Sequence, residues 1–246
     1  TLPTSNVKPV ATWVAEGAGS DKQKKTTGSI TFGYYKLRCA ISASLEVDTM
    51  AYPVFETTFV NNVVEAMVKA LEQAIISGDG NGKPKGILAE TAPEGQNINI
   101  DADKDFTYGT LVDAEAALPL AYENGAVWFM TKKTFMAFVG MTDENGQPIA
   151  RVNYGIGGKP ERSLLGRPVI LNDYMASVNA TLDKDTVVAF LFNPKDYILN
   201  TNLNMTIKRY EDNDTDDQVT KAVMLVDGKV VDKNSLVTIT KKKPTT

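Results

Sequence analysis

The chain has 246 residues, one cysteine, no histidine and a formal net charge of −4, with 43% hydrophobic and 23% charged residues. The absence of histidine excludes Ser–His and Cys–His catalysis and every His-containing zinc site, and a lone Cys39 forms neither an internal disulfide nor a cysteine cluster, so a reducing compartment is the default. This is ordinary composition for one large domain or two small ones; no apolar run approaches the ~18 residues that cross a bilayer, and mild acidity excludes nucleic-acid binding by overall charge, though not by a local basic patch.

Thr1 to Thr12 lacks an apolar signal core. The stretch from Gly17 to Lys25 has almost nothing to bury and reads as a polar loop tip. Ile30, Phe32 and Tyr34 then alternate with Thr31, Gly33 and Tyr35, a period of two that predicts a strand. Val10 to Val14, before the polar tip, is its expected antiparallel partner. Such a two-stranded arm is marginal in water and should rest on something else.

Residues 53–77 carry the clearest helix signal. Phe55, Phe59, Val63, Met67, Leu71 and Ile75 recur every four residues, with Val60, Val64 and Val68 beside them. Pro53 suits a first helical turn, Glu65 and Lys69 form a favourable i,i+4 pair, and Gly78 is a natural stop. At ~1.5 Å per residue the helix reaches about 38 Å, a spine for an extended molecule. A second helix is expected over 107–122, with Pro119 restricting it. Val127 to Met130 reads as a short buried strand, and Thr131 or Lys132 to Val139 as a short helix. Further strands are expected at Pro168–Leu171, Val187–Phe192, Tyr197–Leu199, Leu203–Tyr210, Lys221–Val226 and Leu236–Thr240. Asp227-Gly228 gives a hairpin signal and Asp143 to Gly146 a turn. The expected class is α+β, with sheet strands drawn from distant parts of the chain.

Several clusters have chemical readings. Asp79-Gly80-Asn81-Gly82-Lys83-Pro84 superficially matches a calcium loop, but Lys83 occupies a ligand position and Pro84 the glycine position, so a structural turn is expected. Glu211, Asp212, Asp214, Asp216 and Asp217 place five carboxylates in seven residues. They must be solvated, paired with a neighbouring chain, or bound to a cation; the cation pattern is weak because its sixth position is Asp217 rather than glycine. Lys22, Lys24 and Lys25, with Lys241 to Lys243, are basic counterparts: either solvated loop and tail, or partners of a neighbouring subunit or a polyanion. Gly155 to Gly158 lacks the ending of a phosphate loop. Trp13 and Trp128 read as core or contact anchors and Cys39 as a small buried hydrophobe. No catalytic residue, metal site or cofactor is assigned.

The order of these features resembles the major capsid proteins of tailed double-stranded DNA bacteriophages, whose fold is shared with encapsulin shells. Lys36 to Asp48 is similar to that family's segment leaving its extended loop. Ser77-Gly78-Asp79-Gly80 followed by Pro84-Lys85-Gly86-Ile87-Leu88 resembles its junction after the long helix. Trp128-Phe129-Met130-Thr131 resembles its strand-to-helix turn, and Leu164-Leu165-Gly166-Arg167-Pro168-Val169 the start of a later strand. The resemblance covers most of residues 10–200.

It implies an N-terminal arm and extended β-hairpin loop at 1–45, lying over the next subunit, and a peripheral domain at 46–108 with spine helix 53–77. It further implies an axial domain at 109–200, at capsomer centres, and strands returning to the peripheral domain within 201–246. Trp13, Lys22, Lys24, Lys25, Glu211, Asp212, Asp214, Asp216 and Asp217 are the expected subunit contacts. The implied function is a structural shell of hexamers and pentamers enclosing double-stranded DNA without sequence recognition. The implied partners are copies of the chain and scaffolding, portal or decoration proteins, with no membrane. The implied location is the virion, assembled in host cytoplasm. Many members lose an N-terminal segment to a protease, and a chain starting at Thr1 without Met suits that. Some are welded by Lys–Asn bonds; Lys22, Lys24 and Lys25 are the loop-borne lysines for one, but no motif fixes an Asn partner. Two other readings compete: an encapsulin-like compartment, and a His-free carboxylate hydrolase, which needs two acids facing across a cleft.

Overall fold

A computed structural model describes residues 1–5, 13, 27–43, 45–104, 106–142, 151–153, 161–178, 183–215 and 217–243, and of 45–56 the backbone alone. The chain divides into two units, Thr1–Gly33 and Tyr34–Thr246. In the first, β1 (Leu2–Ser5) pairs antiparallel with β2 (Thr27–Ile30), Leu2 opposite Ile30. The paired strand thus ends where the expected one begins, and its partner among the described residues is Leu2–Ser5; the expected partner, Val10–Val14, lies outside the described residues except for Trp13. The polar tip, Lys22, Lys24 and Lys25 lie outside the described residues, as do Asp143–Gly146 and Gly155–Gly158.

The second unit holds two sheets. One has three antiparallel strands in the order β10 (Tyr197–Glu211), β11 (Gln218–Val230), β3 (Tyr35–Ala43). Along β3 burial alternates, so Leu37, Cys39 and Ile41 face one side. On β11 Ala222, Met224 and Val226 are buried on the same side. Helix α1 (Leu45–Ser77) covers them with Val63, Met67 and Leu71. Each such side chain contributes roughly 1.5–3 kcal/mol by leaving water. The expected four-residue row thus finds its partner, whereas Val68 of the second row is exposed. Helix α1 starts eight residues before Pro53, because Leu45, Glu46, Met50 and Ala51 are good helix formers. Pro53 therefore lies in the helix interior, where its missing N–H forfeits a backbone bond.

The other sheet is mixed and seven-stranded: β4 (Asn97–Ile100), β12 (Val237–Lys241), β9 (Thr186–Phe192), β5 (Val127–Met130), β8 (Arg167–Leu171), β7 (Glu161–Leu164), β6 (Arg151–Asn153). Helices α2 (Tyr108–Ala116) and α3 (Lys132–Val139) bury Leu111, Ala114, Phe135 and Phe138 in a core with Trp128, Met130 and Leu191. The Trp128 indole N–H has no hydrogen-bond partner among the described residues. Pro119 ends the second helix early and leaves a 3-10 turn at Leu120–Tyr122. Thr131 caps α3, its hydroxyl accepting from the Thr134 N–H at 3.2 Å, and Thr134 Oγ1 accepts from the Val178 N–H at 3.2 Å. This is the local reason for the Thr131-to-Thr134 spacing.

The opposite face of that sheet carries Phe129 and Phe190, stacked at 4.8 Å, with Phe192. Ile76 at the end of α1 and Ile87 beyond it enter this second core. The connector between them is the Asp79–Lys83 stretch, which forms a turn. Asp79 accepts from the Asn81 N–H at 3.0 Å and pairs with Lys83. Backbone crossings fix it: Gly86 N–H donates to the Gly78 carbonyl at 2.9 Å, and Lys85 N–H to the Gly228 carbonyl at 3.0 Å. A Cβ on Gly78 would stand 2.1 Å from the Pro84 carbonyl oxygen, and one on Gly86 2.5 Å from the Gly78 nitrogen.

Asp227-Gly228, expected to turn, instead lies within continuous β11. A Gly228 Cβ would meet the Tyr197 hydroxyl at 2.3 Å, so glycine is there for close packing. The hairpin turn falls at 212–217, and Tyr197–Glu211 is one strand rather than two. Val237–Lys241 joins the seven-stranded sheet, parallel to β4.

Gly86→Ala should destabilise the protein by roughly 2 kcal/mol or more, because backbone must move to admit a Cβ. Gly82→Ala, at φ +67 but in open space, should cost only about 1 kcal/mol. Urea titration with a shared slope measures both. Burial, and secondarily the Asp227 carboxylate, raises the pKa of the Tyr197 hydroxyl, which donates to the Lys85 carbonyl at 3.1 Å. Its contribution to stability is therefore complete below the ordinary tyrosine pKa of about 10 and declines as pH rises above it. Tyr197→Phe should flatten that alkaline decline in melting curves.

Candidate functional site

Helix α1 leaves one side of the small sheet's outer strand unclaimed. Strand β10 is hydrogen-bonded to β11 along one edge and is the border of its sheet on the other. Leu199, Leu203, Ile207 and Tyr210 are exposed along it. Apolar side chains on a long border strand are a template for association.

At the far end of this hairpin is the acidic turn. Glu211 closes β10 opposite Gln218. The Asp212 N–H donates to the Asp217 carbonyl at 2.9 Å, and Asp212 Oδ1 accepts from the Asp214 N–H at 3.1 Å. Glu211 and Asp214 are exposed, Asp212 and Asp217 half-buried, and Asp216 lies outside the described residues. Three or more potential metal ligands cluster nowhere among the described residues. Just below the turn, Lys221 Nζ sits 5.1 Å from the Tyr210 ring centre. The fold thus gathers four of the five acids at one hairpin turn, not across a cleft.

Trp13 is fully exposed, whereas Trp128 is core. Cys39 is half-buried rather than buried. The C-terminal lysines are not a solvated tail. Lys241 ends β12, Lys242 Nζ lies 3.5 Å from Asp185 Oδ2, and the Lys243 N–H donates to Asp185 Oδ1 at 3.0 Å. The Asp185 carboxyl pKa is accordingly lowered, chiefly by that backbone bond.

A second surface has no counterpart among the expected contacts. Strands β7 and β8 are joined by Leu165-Gly166, both at positive φ, +50 and +80, as a two-residue hairpin of the favoured hand requires. Leucine is unusual there; its side chain packs on the core beneath, which offsets the backbone cost. The turn places Arg167, only 11% exposed, against α2. Arg167 Nε donates to Glu115 Oε1 and Oε2 at 2.7 and 3.0 Å, and Nη1 donates to the Glu123 carbonyl. The Glu123 carboxylate lies 3.6 Å from Arg167 Nη2. These groups and Val112, Ala116, Leu118, Leu120 and Leu165 line a cleft of about 470 Å³. Leu120 is 84% exposed. Two carboxylates do share this cleft, but both face one guanidinium. The Leu164–Val169 motif was the available signal for it; the partner Glu115 was not legible, because the pair forms only when strand and helix meet.

Within the described residues no helix is long and apolar enough to cross a membrane. The model of the phage capsid family matches residues 1–241. The major capsid protein of Escherichia phage T5 is 26% identical over 179 residues, which cover 67% of this chain and 38% of that protein. The chain therefore spans well under two thirds of that relative. Among solved structures, the capsid of an empty GTA particle aligns over 98% of this chain and 84% of its own, at 21% identity and TM-score 0.83. The holo-SrpI encapsulin complex from Synechococcus elongatus aligns over 88% and 75%, at 11% identity and TM-score 0.63.

Proposed function

The chain belongs to the phage capsid family, and on that premise we propose that it is the major structural subunit of an icosahedral shell. Copies assemble into hexamers and pentamers that enclose double-stranded DNA, which is held without sequence recognition. The carrying observation is the family match across residues 1–241. The fold it shares with the GTA capsid supports the same reading, as does a molecule whose border strand, acidic tip and apolar cleft lie uncovered. The chain works by being covered: apolar burial gives adhesion, and complementary charge sets register between neighbours.

In this reading the three-stranded sheet and α1 form the peripheral domain, and the α2–α3 side of the seven-stranded sheet belongs to the axial domain. The arm and extended loop, expected over 1–45, give up β3 to the three-stranded sheet in this reading, which leaves them the residues before Tyr35. The acids of the tip, Glu211, Asp212, Asp214, Asp216 and Asp217, meet cationic loops of a neighbour, for which Lys22, Lys24 and Lys25 are the loop-borne groups. Trp13 is a contact anchor. Scaffolding, portal and decoration proteins are the further partners, and the virion is the location. The encapsulin reading shares this architecture and differs in contents: cargo protein rather than DNA.

Purified full chain examined by negative-stain microscopy and sedimentation should yield closed particles, with the free subunit giving way to them above a threshold concentration. A compact monomer, indifferent to concentration, ends the proposal. Nuclease-protected DNA in particles from infected cells favours the virion reading, and enclosed cargo protein the compartment. Replacing Asp212, Asp214 and Asp217 with Asn should leave subunit stability within about 0.5 kcal/mol. It should also weaken the dependence of assembly on salt, read as particle yield across an ionic-strength series.

A further inference from the structure

We propose that the cleft beside Arg167 receives the exposed face of α3 from a second copy, so that copies join head to tail through one repeated contact. This rests on the capsid reading and names the contact by which its subunits meet.

The two surfaces are complementary. The cleft has an apolar floor and wall, Val112, Leu120 and Leu165, and Glu123 at its rim. Arg167 commits its short bonds to Glu115 and to the Glu123 carbonyl. The Glu123 carboxylate, 54% exposed and 3.6 Å from the guanidinium, is left facing outward. Two carboxylates against one guanidinium make the cleft net negative. On α3, Lys132 and Lys133 are i−4 and i−3 to Met136, so the three share a face. All three are exposed, while Thr134, Phe135 and Phe138 hold the other face in the core. Neither lysine has an ion-pair partner among the described residues. Both stand in the first turn of the helix, which has no acid to balance them, and cations there oppose the helix dipole. An apolar knob between two cations fits an apolar cleft with an acid at its rim.

Topology makes the contact intermolecular. Leu120 and Glu123 precede β5, and Lys132 follows it. Arg167 begins β8, which runs parallel to β5 with Trp128 opposite Val169, so Arg167 is level with the start of β5. The patches thus lie at opposite ends of a four-residue strand, about 13 Å apart along it, and α3 is pinned by its buried face. One patch cannot fill the other within a chain. Two unlike patches at opposite ends of one rigid element define a heterologous contact, which repeats and closes into a ring when the rotation permits.

Charge exchange tests this on the full chain under assembly conditions. Glu123→Lys alone, and Lys132→Glu with Lys133→Glu, should each lower particle yield roughly tenfold. Combining all three should restore it to within about threefold of the parent. The melting temperature of the unassembled subunit should shift modestly and in opposite directions. Glu123→Lys lowers it by setting a cation beside Arg167, and Lys132→Glu with Lys133→Glu raises it by complementing the helix dipole, so lost yield in the latter is not a folding defect. Independently, Leu120→Cys with Met136→Cys in a Cys39→Ser background should give, on mild oxidation, a ladder of multimers on non-reducing gels. Reversals that assemble at parental yield, a combination no better than its components, or oxidation that stops at dimers would overturn the head-to-tail contact. A parent chain that forms no particles at any concentration instead overturns the capsid reading, and the cysteine ladder still decides this contact.

Discussion

A backbone crossing too tight for any side chain governs how the second unit is put together. Where α1 ends, Gly78, Gly86 and Gly228 bring three stretches of main chain and the Tyr197 ring into contact. The hydrogen bonds of Lys85 and Gly86 lock that crossing, and Tyr197 adds a third from its hydroxyl. Ile76 precedes it and Ile87 follows it, and both enter the phenylalanine core beneath the large sheet. The crossing therefore couples two layers of different character. On one side, α1 lies on a small sheet through Val63, Met67 and Leu71. On the other, its last turn is keyed into a second core. Without glycine at these points, helix and hairpin could not approach closely enough for both cores to close.

That coupling leaves much of the molecule unsatisfied as a monomer. The small sheet has one face covered by α1 and a fifteen-residue strand on its border. The cleft beside Arg167 keeps Leu120 in water beside charged groups that are only partly paired. In a solitary protein such features invite aggregation. In the shell proposed above, each is covered when a neighbour arrives. Modest contacts suffice when many copies repeat them, and weak individual contacts let misplaced subunits leave before closure.

Charge follows the same logic. The acids at 211–217 gather on a tip held by local backbone bonds, an arrangement that tolerates mutual repulsion only while solvated or met by cations. Arg167 illustrates the opposite case. It is nearly buried, held in a fork by Glu115, and serves to anchor the strained Leu165-Gly166 turn against α2. One group of charges organises the subunit; the other faces outward.

The sequence by itself determined what is local. The four-residue row of α1, the apolar run Val127–Met130, the Thr131 cap with its helix to Val139, and the arrest at Pro119 follow from periodicity, capping and backbone chemistry within a few residues. The ordered motifs also marked the family, and they include the glycine-rich junction, where a Cβ on Gly78 or Gly86 would meet backbone, and the Leu165-Gly166 turn at positive φ. Only tertiary structure decided what depends on distant partners. Asp227-Gly228 has the composition of a turn, yet it extends a strand because Tyr197 fills the space a Cβ would take. Val237–Lys241 lies beside Asn97–Ile100, and Glu115 meets Arg167, through loops whose closure no local pattern encodes. Helix α1 runs past Pro53 to Leu45 although an interior proline costs about 3 kcal/mol through a lost bond and a clash with the preceding turn, so the local signal for a start at Pro53 did not set the boundary. Short-range preference is a property of neighbouring residues, whereas burial, register and charge pairing are settled only when remote segments compete for the same space.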